Sequence, residues 1–447
     1  MIAPDVVVIG AGVAGLAAAT TLAGRGAHVT VVEARPSLGG RAGSYTDPAT
    51  GEVVDNGQHI LMGCYRESFA FLRRVGASSN VKVEPSLEMP CIDSAGRPST
   101  LACPALPSPY HLLGGIIEWD ALAWKDRLSV LRIGAVIRRA RRHLDGKTAD
   151  VAASPEETVE NWLIRNGQTT RIRELLWEPL ALAALNQPPR EAAAPTFVRV
   201  LAEMFGPDPA ASAIAFPVVP LSEMYARPAR RYLEAHGGNV RTNTRVRVAV
   251  DGGRAAGVRV RGRELIRAGT VVSSVPWFAL ADLFDEVPAS MAGVVHAASQ
   301  MGSYPIVTVN LWLDRPVMST PFVGLPERNM QWVFDRQAIA GAPSPHLSLV
   351  ASGAAPMVGL SNDAVIAIAL RELRDALPAS RSASVRRATV VRERRATFSL
   401  APGQPPRPPN ATPLPGFILA GDWTDTGLPG TIESAALSGH RAAELIR

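Results

Sequence analysis

The chain has 447 residues, of which 47% are hydrophobic and 19% charged, and it carries a formal net charge of +6. The apolar content excludes a mainly disordered chain, and the length predicts two domains, or one large domain that carries insertions. No stretch reaches the length of about 18 uninterrupted apolar residues that a membrane span needs, and the N-terminus lacks the basic region of a secretory signal. The three cysteines (Cys64, Cys91 and Cys103) fit a reducing cytoplasm and exclude a cysteine-based zinc site.

The first forty residues predict a dinucleotide site. A β-branched strand at 6–9 is followed at once by Gly10, Gly12 and Gly15, then by a small-residue helix at 16–25 and a second strand at 28–33 that ends in Glu33. Gly10 permits the tight turn, Gly12 lets the backbone approach a pyrophosphate, and Gly15 lets the helix pack closely against the sheet. The helix N-terminus stabilises the phosphate charge, and the acid accepts hydrogen bonds from the ribose hydroxyls.

The middle of the chain is more mixed. Apolar spacing predicts helices over 108–144 and 156–184, and within the former the stretch 131–143 combines arginines with apolar residues. That stretch is either a contact with an anionic membrane interface or a solvated helix. Further along, alternation around a glycine turn predicts a hairpin of 246–250 and 257–260, and buried strands are predicted at 271–275, 308–313 and 346–351.

The C-terminal part repeats the strand-to-helix pattern. After a proline-rich connection at 402–415, a short apolar strand ends at Gly421 and Asp422, and the segment 429–433 opens a final helix that runs to Arg447. The two ends of the chain therefore each carry a junction of the kind that binds a cofactor, and we expect both to meet one ligand.

These motifs, together with the segment Gly39-Gly40-Arg41-Ala42, resemble the flavin amine oxidase/phytoene desaturase superfamily. The resemblance implies FAD as cofactor, with Gly40 and Arg41 at the pyrophosphate, Asp422 at the ribityl or pyrophosphate portion, and Val246 at the adenine. With the fingerprint it predicts the following FAD-binding residues: Gly10, Gly12, Val13, Ala14, Gly15, Glu33, Ala34, Arg35, Gly40, Arg41, Gly57, Gln58, Val246, Gly421, Asp422, Gly430, Thr431 and Ile432.

Two features narrow the function within that superfamily. Only three of the 46 basic residues are lysines and none follows Lys147, so the lysine that flavin amine oxidases commonly place near the flavin has no counterpart here. The segment 54–65, and again 423–429, closely resembles the bacterial hydroxysqualene dehydroxylases. That resemblance implies that reduced FAD replaces the hydroxyl of hydroxysqualene with hydride, giving squalene and water. The alternatives are an oxidative carotenoid or squalene desaturase, or a non-catalytic flavin-bound isoprenoid carrier.

Loss of an allylic hydroxyl requires an acid within hydrogen-bond reach. His59 is the first candidate, with Asp55 orienting it or binding cofactor, and Asp425 is the second. Each has a structural alternative, since His59 can bond its own loop and Asp425 can cap a helix. We predict no metal site.

We expect an α/β protein with a Rossmann-like FAD-binding domain built from 1–80, 222–285 and 396–447, and a discontinuous α+β substrate domain built from 81–221 and 286–395. Aromatic and apolar residues in the second domain are predicted to line an isoprenoid pocket: Phe197, Met204, Phe205, Phe216, Pro217, Trp312, Phe322, Met330, Trp332 and Phe334. The expected partners are an isoprenoid substrate, a membrane surface at the inner face of the cell membrane, and enzymes of the squalene pathway, but not nucleic acid.

Overall fold

The computed structural model of the protein describes residues 4–142, 144, 153–261 and 264–446. Parts of the sequence predictions lie outside the described residues. These include His143 and Arg447, which end two of the predicted segments, and residues 1–3, which begin the predicted FAD-binding domain.

The strands within these residues are, in chain order, β1 (Val6–Ile9), β2 (Val29–Val32), β3 (Ser44–Thr46), β4 (Val53–Asp55), β5 (Leu61–Met62), β6 (Val81–Val83), β7 (Glu88–Ile92), β8 (Pro98–Ala102), β9 (Ile214–Pro217), β10 (Asn239–Arg241), β11 (Val246–Asp251), β12 (Arg254–Val260), β13 (Glu264–Arg267), β14 (Thr270–Ser273), β15 (Ser303–Leu313), β16 (Phe322–Gly324), β17 (Trp332–Asp335), β18 (His346–Ala351), β19 (Val385–Phe398) and β20 (Phe417–Leu419). The α-helices are α1 (Val13–Gly24), α2 (Arg66–Arg74), α3 (Tyr110–Glu118), α4 (Trp124–Arg141), α5 (Val159–Arg165), α6 (Thr170–Ile172), α7 (Glu178–Leu185), α8 (Ala194–Met204), α9 (Arg227–Ala235), α10 (Ala292–Gln300), α11 (Arg336–Ala340), α12 (Asn362–Ala376) and α13 (Ile432–Glu444).

A five-stranded parallel sheet in the order β10-β2-β1-β14-β20 forms the first layer of the fold. Every residue of β1 and β2 is buried, as β-branched strands in a sheet covered on both faces should be. Helices α1 and α13 pack so closely that a Cβ on Gly439 would lie only 2.3 Å from the carbonyl oxygen of Ala14. The strands come from three separate stretches of chain, each within a segment predicted for the FAD-binding domain.

A seven-stranded mixed sheet in the order β19-β15-β18-β17-β16-β7-β8 forms the second layer. Its residues alternate between two faces, as the strand period of two requires. One face, with Val309 and Leu349, packs against Val365 and Leu373 of α12. The neighbouring positions on the other face include Thr308, which lies against the loop that follows β4.

The structure differs from the sequence predictions at three points of local structure. The helix predicted over 156–184 is interrupted, because Gly167 adopts a positive φ of 67° after α5 and a π-helical turn, Arg173–Trp177, separates α6 from α7. The long strand β19 was not predicted at all. The strand predicted at 308–313 begins earlier, at Ser303, and pairs with β19 over most of its length.

No helix in the described part of the chain combines the length and apolar character needed to cross a bilayer.

Candidate functional site

The glycine turn after β1 has the close contacts that its sequence predicts. Gly10 has a φ of 98°, and a Cβ on Gly15 would lie 2.1 Å from the carbonyl oxygen of Gly10 and 2.4 Å from Oγ of Ser274. A Cβ on Gly12, in contrast, would meet no atom within 4 Å. Two of the three glycines are therefore required by packing, whereas Gly12 keeps open the space in front of the turn.

Helix α1 starts at this turn without a side-chain cap and without an acidic residue in its first turn, which contains Val13 and Ala14. Backbone N–H groups at such an end have no intrahelical acceptor and carry the positive end of the helix dipole. An anionic group placed before Gly12 would satisfy them.

Glu33 ends β2 beside this turn and is buried. Its carboxylate accepts hydrogen bonds from the backbone N–H groups of Ala11 and Arg35, both at 2.8 Å, and its backbone carbonyl accepts one from the N–H of Thr244. The last contact brings the start of β11, with Val246, next to the predicted ribose-binding acid. Each carboxylate oxygen retains acceptor capacity for a further donor.

The Gly-Gly-Arg segment lies directly against the glycine turn. Gly40 has a φ of 60°, and a Cβ there would lie 3.3 Å from Cα of Gly12. The guanidinium of Arg41 forms an ion pair with the buried carboxylate of Asp422 and donates to the carbonyl of Ala396 at 2.7 Å. Burial acts to lower the pKa of Arg41, but the negative charge of Asp422 outweighs it and the pKa is raised. The structure therefore joins predicted residues from the two ends of the chain.

The N-terminus of α13 lies at the same edge of the sheet. Thr431 caps the helix by accepting from the N–H of Ser434, and a Cβ on Gly430 would lie 3.3 Å from Oδ2 of Asp422. Ile432 and Val13 line one small internal cavity, so the first turns of α13 and α1 are neighbours. Gly421 permits the close approach of the buried Trp423 ring, whose Cδ1 would lie 2.7 Å from a Cβ at that position.

The loop between β4 and β5 carries the first catalytic candidate. Gly57 has a φ of 111°, and a Cβ there would meet Oγ1 of Thr308 at 3.4 Å, so this loop lies against the second sheet. Nδ1 of His59 lies 3.1 Å from the carbonyl of Gly57. Burial lowers the pKa of His59 despite the favourable contact with that carbonyl. Burial thus disfavours the charged ring. Because a carbonyl can only accept, Nδ1–H donates to Gly57 and Nε2 is left as the free nitrogen.

A buried ion pair fixes the start of this loop. Asp55 accepts from the hydroxyl of Ser44 at 2.7 Å and the N–H of Leu221 at 2.9 Å, and its other oxygen pairs with Arg336 at 3.1 Å. The second nitrogen of Arg336 donates to the side-chain carbonyl of Gln58. Asp55 thus holds Arg336, while His59 is oriented by the carbonyl of Gly57.

The second acid candidate, Asp425, is exposed, and its backbone carbonyl accepts a hydrogen bond from Arg441. Exposure argues against Asp425 as the proton donor in a site closed to water, and its role stays an untested prediction.

Four of the ten residues predicted to line an isoprenoid pocket gather in one apolar cluster: Phe216, Phe322, Trp332 and Phe334. The rings of Phe216 and Phe322 are 5.5 Å apart, and Phe322 stacks on Phe334 at 6.0 Å. The partly buried Ile60 and Met62 pack against this cluster directly after His59. Phe197 and Phe205 pack in a different part of the core, and Met330 faces α12.

Sequence reasoning missed several residues that position the site. Arg336 begins α11, immediately after β17 in the second sheet. The Tyr225 hydroxyl lies within hydrogen-bond distance of the carbonyls of Gly39 and Ala42, and the side chain of Asn56 donates to the carbonyl of Arg41 at 3.0 Å. None of these positions lies in a local motif, although Asn56 falls inside the segment whose resemblance was noted.

Comparison with known proteins agrees with this geometry. The family model described as "Flavin containing amine oxidoreductase" matches residues 13–447. The chain belongs to this family. Its relatives include hydroxysqualene dehydroxylases of Sinorhizobium fredii, 29% identical over 99% of this chain and 98% of the relative, and of Rhodopseudomonas palustris, 30% identical over 98% and 97%. A zeta-carotene desaturase of Synechocystis is 24% identical over 99% of this chain and 96% of the relative.

Among solved structures, a putrescine oxidase with redesigned cofactor binding aligns with a TM-score of 0.75 at 19% identity, covering 99% of this chain and 98% of that one. The predicted α/β fold class and the resemblance to hydroxysqualene dehydroxylases are confirmed.

FAD is the cofactor of this family member, and the residues present fit it. The uncapped N-terminus of α1, the open space before Gly12 and the adjacent Gly40 provide a cradle for a diphosphate. The buried acid Glu33 stands where a ribose is expected. The division into domains and the individual site roles remain predictions.

Proposed function

We propose that the chain is an FAD-dependent oxidoreductase that converts hydroxysqualene to squalene by replacing the allylic hydroxyl with hydride. The observation that carries the proposal is similarity at 29–30% identity, over almost the full length of each chain, to proteins named hydroxysqualene dehydroxylase. The apolar cluster beside His59 and the absence of lysine after Lys147 support an apolar substrate over an amine.

In its reduced form, bound FAD supplies the hydride. The protein has to protonate the departing oxygen, so that the C–O bond breaks with release of water as the new C–H bond forms. His59 is the group we assign to this proton transfer. Because burial lowers its pKa, the protonated ring gives up its proton more readily than an exposed histidine does, and Nε2 is the nitrogen free to carry that proton.

The pair of Asp55 and Arg336 positions this group. Arg336 reaches from the second sheet and contacts both Asp55 and Gln58, which lie on either side of Gly57 in the loop that holds His59. An apolar cluster next to a fixed donor would keep water away from the carbon that loses its hydroxyl.

A second candidate function is oxidative desaturation of an isoprenoid, favoured by the similarity to zeta-carotene desaturase. It uses the same fold but transfers hydride from substrate to flavin. A flavin-bound isoprenoid carrier is a third possibility that needs no redox change.

Anaerobic single turnover separates the three. The reduced holoenzyme is mixed with hydroxysqualene, and squalene formation and flavin reoxidation are followed together. We expect both to occur in equal amounts. If squalene bleaches the flavin of the oxidised enzyme, and the reduced enzyme forms no squalene from hydroxysqualene, the desaturase assignment replaces ours. Binding of either lipid without any change in flavin absorbance would favour the carrier.

A further inference from the structure

Helices α3 and α4 expose an unusual number of large apolar side chains. Tyr110 and Ile117 of α3 are 63% and 50% exposed, and Trp124, Leu128 and Leu131 of α4 are 64%, 59% and 52% exposed. We call these five residues the α3–α4 apolar surface. Trp124, Leu128 and Leu131 lie on successive turns of one side of α4, and an exposed apolar patch of this kind marks an interaction site.

The fold does not require this surface, because α4 already has an apolar side that packs inside. Ile133 and Ile137 are buried on that side, whereas Trp124, Leu128 and Leu131 follow a spacing of four and three residues along the opposite side. A helix that is apolar on two opposite sides has one more apolar stripe than its own core uses.

Basic side chains surround the exposed stripe. Lys125, Arg132, Arg138 and Arg139 are exposed on α4, while the acid of this helix, Asp126, is buried and accepts from the hydroxyl of Thr169 and the N–H of Ala123. Arg127 lies 4.9 Å from the centre of the Trp124 ring. Two exposed acids are nearby in the chain: Glu118 ends α3, and Asp120 lies between the two helices. Aromatic and leucine side chains bordered by mostly basic residues match the interface of an anionic bilayer.

The α3–α4 apolar surface also connects to the apolar interior. Ile116 of α3 and Trp119 belong to a core cluster against which Leu87 and Met89 pack. Leu87 and Met89 also pack against the cluster of Phe216, Phe322, Trp332 and Phe334 beside His59. A continuous run of apolar side chains therefore extends from the exposed helices to the candidate site.

We propose that the α3–α4 apolar surface docks onto an anionic lipid bilayer and receives the isoprenoid from it. The second half of this inference rests on the proposed function, since a C30 isoprenoid partitions into the bilayer. The docking surface is centred on the first half of α4 and on α3, so the arginines of the predicted segment 131–143 flank it and do not form its centre.

Flotation of the full chain with vesicles of equal parts phosphatidylglycerol and phosphatidylcholine tests the docking. The variant carries Trp124→Ser, Leu128→Ser and Leu131→Ser, and a matched control carries Val53→Ser, Leu360→Ser and Leu445→Ser, three apolar residues exposed elsewhere. We expect the wild type and the control to float with the vesicles. The α4 variant should bind up to about 1,000-fold more weakly, because each of its three large apolar side chains contributes about ten-fold when it enters the bilayer.

A second variant, Arg138→Gln with Arg139→Gln, separates charge from apolar contact. It should weaken binding to the anionic vesicles by about five-fold for each arginine at low salt and leave binding to pure phosphatidylcholine vesicles unchanged. Equal binding by the wild type and the α4 variant would overturn the proposal. The proposal would also be overturned if the wild type does not float with the vesicles, even if it binds an enzyme of the squalene pathway through these residues instead.

Delivery of hydroxysqualene in detergent micelles keeps this test independent of the proposed function. The α4 variant should turn over micellar substrate like the wild type but lose turnover of substrate held in vesicles. If the wild type floats with anionic vesicles but converts no micellar hydroxysqualene, the proposed function fails and the docking stands.

Discussion

Replacing Gly12 with alanine should separate cofactor binding from folding. The backbone at Gly12, with a φ of −80° and ψ of −176°, is accessible to alanine, and the added Cβ meets no atom within 4 Å. Loss of the N-cap glycine costs several tenths of a kcal/mol, which the smaller entropy of the unfolded chain offsets. The free energy of unfolding of the apoprotein should therefore change by less than about 1 kcal/mol.

FAD binding should change much more, because the methyl group enters the space where we place the diphosphate. Losing one backbone N–H hydrogen bond to a charged oxygen costs about 1.5–3 kcal/mol, which raises the dissociation constant about 10- to 150-fold. Titration of apoprotein with FAD, followed by flavin fluorescence, measures this constant, and urea unfolding of the apoprotein measures stability.

Two further glycines serve as controls. Gly293→Ala, in the exposed first turn of α10 where a Cβ also has no neighbour within 4 Å, should leave FAD binding unchanged and stabilise the apoprotein by about 0.5–1 kcal/mol. Gly15→Ala should destabilise the apoprotein itself by about 1–3 kcal/mol or more, because its Cβ overlaps the carbonyl of Gly10. If Gly12→Ala binds FAD as tightly as the wild type, the diphosphate does not approach this turn and our placement of the cofactor is refuted.

Three other changes test the site and its surroundings. Arg336→Gln leaves the buried Asp55 carboxylate without its charged partner and should cost about 3–5 kcal/mol of stability in urea unfolding. A second change, Asp55→Asn, should restore most of that stability. If the loss persists in the double variant, the pairing is contradicted. His59→Gln should lower kcat about 10²- to 10⁴-fold with FAD content unchanged and abolish a decline of kcat with rising pH in the wild type, whereas an unchanged pH profile would exclude His59 as the acid. Burial lowers the pKa of His346 from 6.5 to about 3. Below pH 6.5 the unfolded chain therefore binds a proton that the folded chain does not. As the pH is lowered from 6.5 to 4.5, the free energy of unfolding should fall by up to about 1.4 kcal/mol per pH unit. His346→Gln should flatten that slope while the exposed His296→Gln does not.

The backbone geometry of the glycine turn could be predicted because its signals are local, whereas the cofactor contacts of its residues stay predictions. A glycine turn, a helix start and a terminal acid follow one another within about thirty residues, and their spacing reflects the geometry of one strand–helix–strand unit. The C-terminal junction is equally local. The ion pair of Arg41 and Asp422 joins the two junctions. The sequence predicted that both junctions meet one ligand, but it did not predict this pair.

The catalytic side was harder to predict because its contacts are long-range. Arg336 meets Asp55 from 281 positions away in the chain, and no local pattern distinguishes it from the many exposed arginines. Strand β19 was missed because its arginines and glutamate hide the alternation typical of a half-buried strand. The helix predicted over 156–184 failed for a different reason, since Asn166 and Gly167 gave a stop signal that the apolar spacing outweighed.

The most direct test of the central claim is the fate of hydrogen in a single turnover run in D₂O. The proton on N5 of reduced flavin exchanges with solvent, so the hydride delivered to hydroxysqualene is deuterium-labelled. The proposed reaction predicts squalene with one deuterium at the carbon that carried the hydroxyl, formed as the flavin is oxidised and detected by mass spectrometry. Unlabelled squalene, or reduced enzyme that leaves hydroxysqualene unchanged, would contradict the account.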